Sequence, residues 1–196
     1  MKKMSLFSQV LKIIPRNTFN TLIKKHQTEY RSKGFSSWDH FVSMLFCQMS
    51  EAKSLKEIEL GLKSCEGNLS HLGINAPAKS TLAYANEHRD WRLFEGLFQQ
   101  LLQDLRSQIT EKSKRIALSN KLYSIDSTTV ELCLNTFSWA KYRSTKGALK
   151  IHLRLDHDGY IPDFVVVGEG ATHDVIPARD FPYETGSITV FDRGYV

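Results

Sequence analysis

The chain has 196 residues, of which 41% are hydrophobic and 24% are charged, a composition typical of globular proteins. No apolar run approaches the roughly 20 residues that a membrane-spanning helix needs, so no membrane partner is expected. The three cysteines, Cys47, Cys65 and Cys133, include no CxxC pair, which argues against a disulfide framework or a zinc site and favours a cytoplasmic location. The net charge of +5 is divided unevenly, at +7 over residues 1–120 and −2 over residues 121–196. A basic first part indicates a region that binds a polyanion.

Residues 1–118 show the apolar spacing of α-helices. Two short helices are predicted on either side of Pro15, and a third begins at Ser36 or Ser37, whose hydroxyl would cap it. Four further features complete this part: a helix over 54–62 with a capping box of Ser54 and Glu57, a connection over 68–79, a helix over 80–89 capped by Ser80, and a long helix that starts near Trp91.

From about residue 119 the period becomes that of β-strands. Alternating or β-branched residues predict four strands, which run over Lys121–Asp126, Leu149–Asp156, Ile161–Val167 and Ser187–Asp192. Asp156 and Asp158 belong to a predicted hairpin turn, and one helical turn is expected near residues 172–181. Helices followed by strands predict an α+β protein with a helical domain over 1–118 and a second domain over 119–196.

The helix over 80–89 carries side chains suited to DNA. Hydroxyl and amide groups near a helix N-terminus can bind phosphates, and Asn and Arg can read base edges. The alternative is an ordinary surface helix of a bundle. The predicted DNA-binding residues are Lys79, Ser80, Thr81, Tyr84, Asn86 and Arg89.

Two aspartates, Asp126 and Asp192, each follow an apolar strand pattern. If their strands are parallel neighbours, both carboxylates reach one point, where a hard cation such as Mg²⁺ or Mn²⁺ would offset their repulsion. The alternative for each is a turn or a helix cap. The neighbouring hydroxyls of residues 127–129 are expected to cap or orient Asp126, and His152 is expected on a polar, outward strand face.

These stretches also resemble a known family. "LYSIDSTTVEL", "KGALKIHLRLDHDGYIPDFVVVGEGATHDV" and "SITVFDRGY" are similar to bacterial insertion-sequence transposases of the DDE class, in the insertion sequence four family. "VLKIIPRNTFNTLIKKH", "WDHFVSMLF" and "SLKEIELGL" resemble the helical N-terminal domain found in one branch of that family. The resemblance extends over essentially the whole chain.

The resemblance implies a ribonuclease H-like catalytic domain, of which residues 119–196 supply the first four strands. By motif, Asp126 in "SIDST" and Asp192 in "FDRGY" take the places of the first two catalytic acids, which hold Mg²⁺ or Mn²⁺. The family's third acid is a glutamate in a Tyr-x₂-Arg-x₃-Glu-x₆-Lys stretch downstream of the second aspartate. That stretch is not among the 196 residues. We therefore expect a truncated product that is inactive alone and that exposes apolar surface beside its last strand.

The implied function is metal-dependent cleavage and transfer of DNA strands during transposition. Its partners would be double-stranded transposon terminal repeats and target DNA, with a homodimer as a family expectation for the DNA complex. Two alternatives remain open: a non-catalytic DNA-binding protein that occupies transposon ends, and another metal-dependent nuclease of the same fold.

Overall fold

The structure is a computed structural model that describes residues 6–30, 32, 34–65, 74–108, 118–132, 141–143 and 146–195. The chain forms two compact units, Met1–Leu101 and Leu102–Val196. Helices make up the first and a β-sheet dominates the second, so the predicted α+β class is confirmed. The domain division predicted after residue 118 adjoins residues 109–117, which lie outside the described part, and it stays a prediction.

The described residues of the N-terminal part form six α-helices. Pro15 separates the first two, as predicted, because it precedes the second helix with a fixed φ of −73°. None of the described helices is long and apolar enough to cross a membrane. The helices are α1 (Leu6–Ile13), α2 (Arg16–His26), α3 (Ser37–Met49), α4 (Leu55–Ser64), α5 (Lys79–His88) and α6 (Arg92–Gln108).

Side-chain caps fix the starts of α3 and α4. The Ser36 hydroxyl accepts the Asp39 amide at 3.0 Å and the Asp39 carboxylate accepts the Ser36 amide at 2.9 Å, which is a complete capping box. The Ser54 hydroxyl accepts the Glu57 amide at 3.2 Å, whereas the Glu57 carboxylate accepts the amide of Lys53 instead. Both predicted N-caps are therefore confirmed, but the capping box predicted for Ser54 and Glu57 is incomplete, since the Glu57 carboxylate does not accept the Ser54 amide.

The core of the helical unit is aromatic and aliphatic. Phe19 is fully buried and packs edge-on against Trp38, with ring centroids 5.2 Å apart. Burying one such side chain contributes roughly 1.5–3 kcal/mol to the free energy of folding. The other buried core members include Val42, Ile58, Leu62, Leu82, Leu93 and Leu97, which are contributed by α3 to α6. Cys47 and Cys65 are free thiols, and Cys133 lies outside the described residues.

The second unit contains a mixed five-stranded sheet. Its strands are β1 (Leu122–Leu132), β2 (Lys141–Arg143), β3 (Lys146–Asp156), β4 (Ile161–Glu169) and β5 (Ile188–Phe191). β3 pairs antiparallel with β1 on one edge and with β4 on the other, and β5 pairs parallel with the outer edge of β1. The four predicted strands are all present, and the three-residue β2 was not predicted.

The β3–β4 turn has the chemistry expected of a hairpin. The Asp156 carboxylate accepts the Asp158 amide at 2.8 Å, and Gly159 and Tyr160 have φ angles of 98° and 56°. The predicted helical turn is also present, as the short helix α7 (Val175–Ala178), and a 3₁₀ turn (Arg193–Tyr195) follows β5.

The expectation for His152 was wrong. Its side chain is fully buried rather than outward, because the face of β3 that carries it is covered by Tyr195. In contrast, apolar surface is exposed on β5, as expected, where Ile188, Val190 and Phe191 are 41%, 55% and 41% exposed.

Candidate functional site

The pairing of β1 with β5 brings Asp126 and Asp192 together. The strands are parallel neighbours, as predicted, and their last matched pair is Ile125 with Phe191. The next residue along each strand is an aspartate. Because neighbouring strands lie about 4.8 Å apart, this register brings the two aspartates side by side at the end of β5.

Asp126 is not at the end of its own strand, which corrects the prediction. β1 continues to Leu132 because its β-branched residues after Asp126 stay paired with β3, for example Thr128 with Ile151. The strand that ends beside Asp126 is β5, whose last residue is Phe191. Asp126 is thus the first residue of β1 without a parallel neighbour on that edge among the described residues.

Both carboxylates are exposed and bind a nearby main-chain amide. Asp126 Oδ1 accepts the Ser127 amide at 2.7 Å, and Asp192 Oδ1 accepts the Gly194 amide at 2.9 Å. These bonds orient the two carboxylates while the Oδ2 atoms remain as potential ligands. Hard carboxylate oxygens at an exposed strand end suit Mg²⁺ or Mn²⁺.

A third carboxylate, that of Asp174, lies near Asp192. An added Cβ at Gly194 would be 3.1 Å from both Asp174 Oδ2 and Asp192 Oδ1, so these two oxygens are within about 6 Å of each other. Asp174 immediately precedes α7 and forms an ion pair with Lys150 of β3. In the sequence, the His173–Asp174 pair is suggestive, but two residues do not define a metal site, and no role was predicted for Asp174.

A buried Tyr–His pair supports this side of the sheet. The Tyr195 hydroxyl and His152 Nδ1 are 2.9 Å apart. Burial lowers the pKa of His152, although Asp174, with Oδ1 3.8 Å from Nδ1, raises it in part. The tautomer of the neutral imidazole decides the donor, which is either the Tyr195 hydroxyl or Nδ1–H of His152.

The phenol of Tyr195 senses all three carboxylates. Burial is the largest cause that raises its pKa to about 12, a hydrogen bond with Ser127 opposes the rise, and the charges of Asp174, Asp126 and Asp192 add to it. Tyr195 therefore stays protonated at neutral pH. The three acids share one electrostatic environment around its hydroxyl.

Asp126 and Asp174 nevertheless lie on opposite faces of the sheet, since Asp174 lies beside His152. Consecutive strand residues point to opposite faces, so Asp126 lies on the face opposite Ser127. His152 is the cross-strand partner of Ser127 and shares its face, together with the bonded Tyr195. Within the described ranges, no three His, Cys, Asp or Glu side chains form a group that could hold a metal ion. The structure thus brings together two adjacent acids and a nearby third, without a closed ligand set.

The residues predicted to bind DNA, five on α5 and Arg89 directly after it, fall into two groups. Lys79, Ser80 and Tyr84 are exposed and Thr81 is half-buried. Asn86 and Arg89 make bonds within the protein: Asn86 Oδ1 lies 2.6 Å from His40 Nε2, and the Arg89 guanidinium donates to the carbonyls of Phe35 and Ser36. Their roles toward DNA stay predictions.

Ser80 does not cap α5, which corrects that prediction. The helix begins one residue earlier, after Ala78, which provides no side-chain cap. The Glu59 carboxylate of α4 accepts the Lys79 amide at 3.2 Å instead. Its pKa is lowered to about 2, chiefly by hydrogen bonds with Lys63 and Lys56 and then by the Lys79 amide. The start of α5 therefore already holds a negative charge.

Comparison with known proteins gives one match. Residues 2–75, just over a third of the chain, match a family described as a domain of unknown function (DUF4372). This segment begins before α1 and ends beyond α4, so it lies inside the helical unit. Neither a curated protein nor a solved structure matches the chain.

Proposed function

We propose that this chain is a DNA transposase, or a part of one, of the insertion sequence four type. The helical unit would bind transposon-end DNA, and the sheet would supply the metal-binding acids for strand cleavage and transfer. The observation that carries the proposal is the parallel register of β1 and β5, since it places Asp126 beside Asp192. A chance pair of turn aspartates has no reason to follow the same matched pair on neighbouring strands.

Two further observations support the proposal. The family matched by residues 2–75 is typically found at the N-termini of transposase-like proteins. The excess of basic residues over 1–120, at a net charge of +7, suits a DNA-binding unit.

The residues present fit part of a Mg²⁺ or Mn²⁺ site. Asp126 and Asp192 would hold the metal through carboxylate oxygens, and their exposure leaves room for DNA. When bound, such a metal activates an attacking oxygen and stabilises the leaving oxygen of a phosphodiester. Lys150 would hold Asp174 in place by their ion pair, and Tyr195 would keep its proton and remain able to donate a hydrogen bond. With only two adjacent acids, we expect negligible strand transfer by these 196 residues alone.

Metal binding tests the proposed site directly. Mn²⁺ titration of the 196-residue chain, followed by electron paramagnetic resonance, should show binding that is lost in Asp126→Asn and in Asp192→Asn. Glu169→Gln is the matched control, because Glu169 is an exposed acid on β4, and β3 separates that strand from β1. Equal Mn²⁺ affinity in all four proteins would contradict the site.

Cleavage of terminal-repeat DNA with Mg²⁺ tests the proposed activity. We expect no more than trace product from the 196-residue chain. Robust turnover that disappears in Asp126→Ala would overturn the expected inactivity and support the catalytic role. Robust turnover that persists in that variant would place catalysis elsewhere.

A second candidate is a non-catalytic protein that occupies transposon ends. The open ligand set and the basic helical part favour it. Phosphate contacts predict that duplex binding weakens steeply as salt is added. A gel-shift series from low to high salt checks this, and absence of binding at low salt would exclude the candidate.

A further inference from the structure

A groove in the helical unit is lined by aromatic side chains, and two of them, Tyr30 and Tyr84, are mostly exposed. It lies between the segment after α2 and the C-terminal half of α5, and its volume is about 370 Å³. That size falls in the range of small-molecule pockets. We call it the aromatic groove. Its lining includes Thr28, Tyr30 and Phe35 on one side and Tyr84, His88 and Arg89 on the other.

Tyr84 and His88 form a flat platform in this groove. Their rings are stacked with centroids 3.9 Å apart and an interplanar angle of 14°. A hydrogen bond of 3.0 Å between His88 Nδ1 and the Tyr84 carbonyl holds the imidazole in this position. Tyr84 is nevertheless 65% exposed. The platform is therefore ordered before any ligand arrives, which lowers the entropic cost of binding.

The electrostatics of the groove favour an uncharged ligand ring over a phosphate. The Arg89 guanidinium is committed to the carbonyls of Phe35 and Ser36. Burial lowers the pKa of Arg89, and the charges of Glu29 and Asp39 act in the opposite direction. Two acids thus offset the one arginine. A phosphate would find little net positive charge here.

The start of α5 is also a poor phosphate site. Glu59 already occupies the Lys79 amide there with its carboxylate. The part of α5 that remains available is its aromatic, C-terminal half. A helix C-terminus disfavours anions, which again points to a neutral planar group as ligand.

We propose that the aromatic groove binds an unpaired nucleobase of single-stranded or frayed DNA, which stacks on Tyr84. Bases are planar and uncharged, and exposed aromatic platforms bind them without regard to sequence. Thr81 lies in the groove lining, where its hydroxyl can bond a base edge, whereas the Thr28 hydroxyl lies 2.8 Å from the Ser37 hydroxyl and already has a partner. The inference rests on the proposed function only in treating the helical unit as the DNA-binding part.

The test uses the 196-residue chain and a fluorescent oligothymidylate of about twelve nucleotides, with EDTA present so that no metal site takes part. Anisotropy should show that Tyr84→Ala weakens binding about 5- to 150-fold, as expected for the loss of one base–aromatic stack. Tyr84→Phe should bind within about twofold of the wild type because it keeps the ring. Trp91→Ala is the matched control, since Trp91 is 64% exposed in the same unit and outside the groove lining.

Salt and a base-stacking probe separate stacking from charge. The ratio of wild-type to Tyr84→Ala affinity should stay constant as salt is raised, and quenching of a 2-aminopurine base in the oligonucleotide should be lost in Tyr84→Ala alone. Equal binding by Tyr84→Ala and the wild type, or an equal loss in Trp91→Ala, overturns the inference. Terminal-repeat duplex binding measured on the same proteins distinguishes the two claims: if it persists while Tyr84 has no effect on single strands, the groove inference fails and the proposed function stands.

Discussion

Arg89 allows a sharp distinction between a structural and a DNA-binding role. Its guanidinium donates to the Ser36 carbonyl at 2.6 Å and to the Phe35 carbonyl, and it lies 4.9 Å from the centre of the Phe35 ring. Ser36 is the cap of α3. Arg89 therefore ties the end of α5 to the start of α3. The informative perturbation is Arg89→Lys, which keeps the charge but replaces the planar fork with a single ammonium.

The expected cost follows from the number of lost bonds. A hydrogen bond from a charged group contributes about 1.5–3 kcal/mol, and a lysine can replace one of the two carbonyl contacts but not both. Arg89→Lys should therefore lower the free energy of unfolding by about 1.5–3 kcal/mol. In a chain of this length each kcal/mol moves Tm by about 2–4 °C, so we expect a fall of about 3–12 °C.

Thermal and urea unfolding, followed by circular dichroism, measure this loss. Arg92→Lys is the control, because the Arg92 side chain is 62% exposed and forms an ion pair with the neighbouring Asp90, at 3.2 Å. It should unfold like the wild type. The reasoning is refuted if Arg89→Lys keeps the wild-type midpoint while its affinity for duplex DNA falls, since Arg89 would then act on DNA and not on the fold.

Three further predictions concern the helical unit. Glu59→Gln should lower the urea midpoint above pH 4.5, and the difference from the wild type should vanish as the pH falls through the folded pKa of about 2, because only the carboxylate is held by its lysine partners. Gly61→Val should destabilise the protein by about 1–3 kcal/mol in the same unfolding assay, since a Cβ there would lie 2.8 Å from the Phe46 ring; unchanged stability would contradict this packing. An NMR titration of His40 should give a pKa below 6.5, chiefly because of burial, so its contribution to stability is lost as the pH falls below about 6.5; a value at or above 6.5 would contradict the buried environment.

The helices were predictable because their signals are local. Pro15, the Ser36 cap and the Ser54–Glu57 pair each act within four residues of the helix that they start. The predicted cap of α5 was wrong because the contact at the start of that helix is not local. Its partner is Glu59, 20 residues away, and no local pattern reports such a contact. The neighbouring Ser80 offered a plausible cap that the fold does not use.

The candidate site was predictable in its two aspartates and not in their surroundings. The strand patterns before Asp126 and Asp192 indicated that the two could meet, but their register depends on pairing across more than 60 residues. The burial of His152 depends on Tyr195, 43 residues away, and the position of Asp174 depends on Lys150. The alternation of polar and apolar residues along β3 does not reveal that the face carrying His152 is covered.

The strand arrangement has a consequence for the order in which the protein folds. β3 and β4 are joined by a tight turn, whereas β5 reaches β1 only after the whole intervening chain has been placed. Closing so long a loop costs more entropy, and such distant pairings form slowly. We expect the amides that pair β3 with β4 to be protected first in pulsed hydrogen exchange, and those that pair β1 with β5 to be protected last. The chain would thus complete most of its sheet before Asp192 arrives beside Asp126.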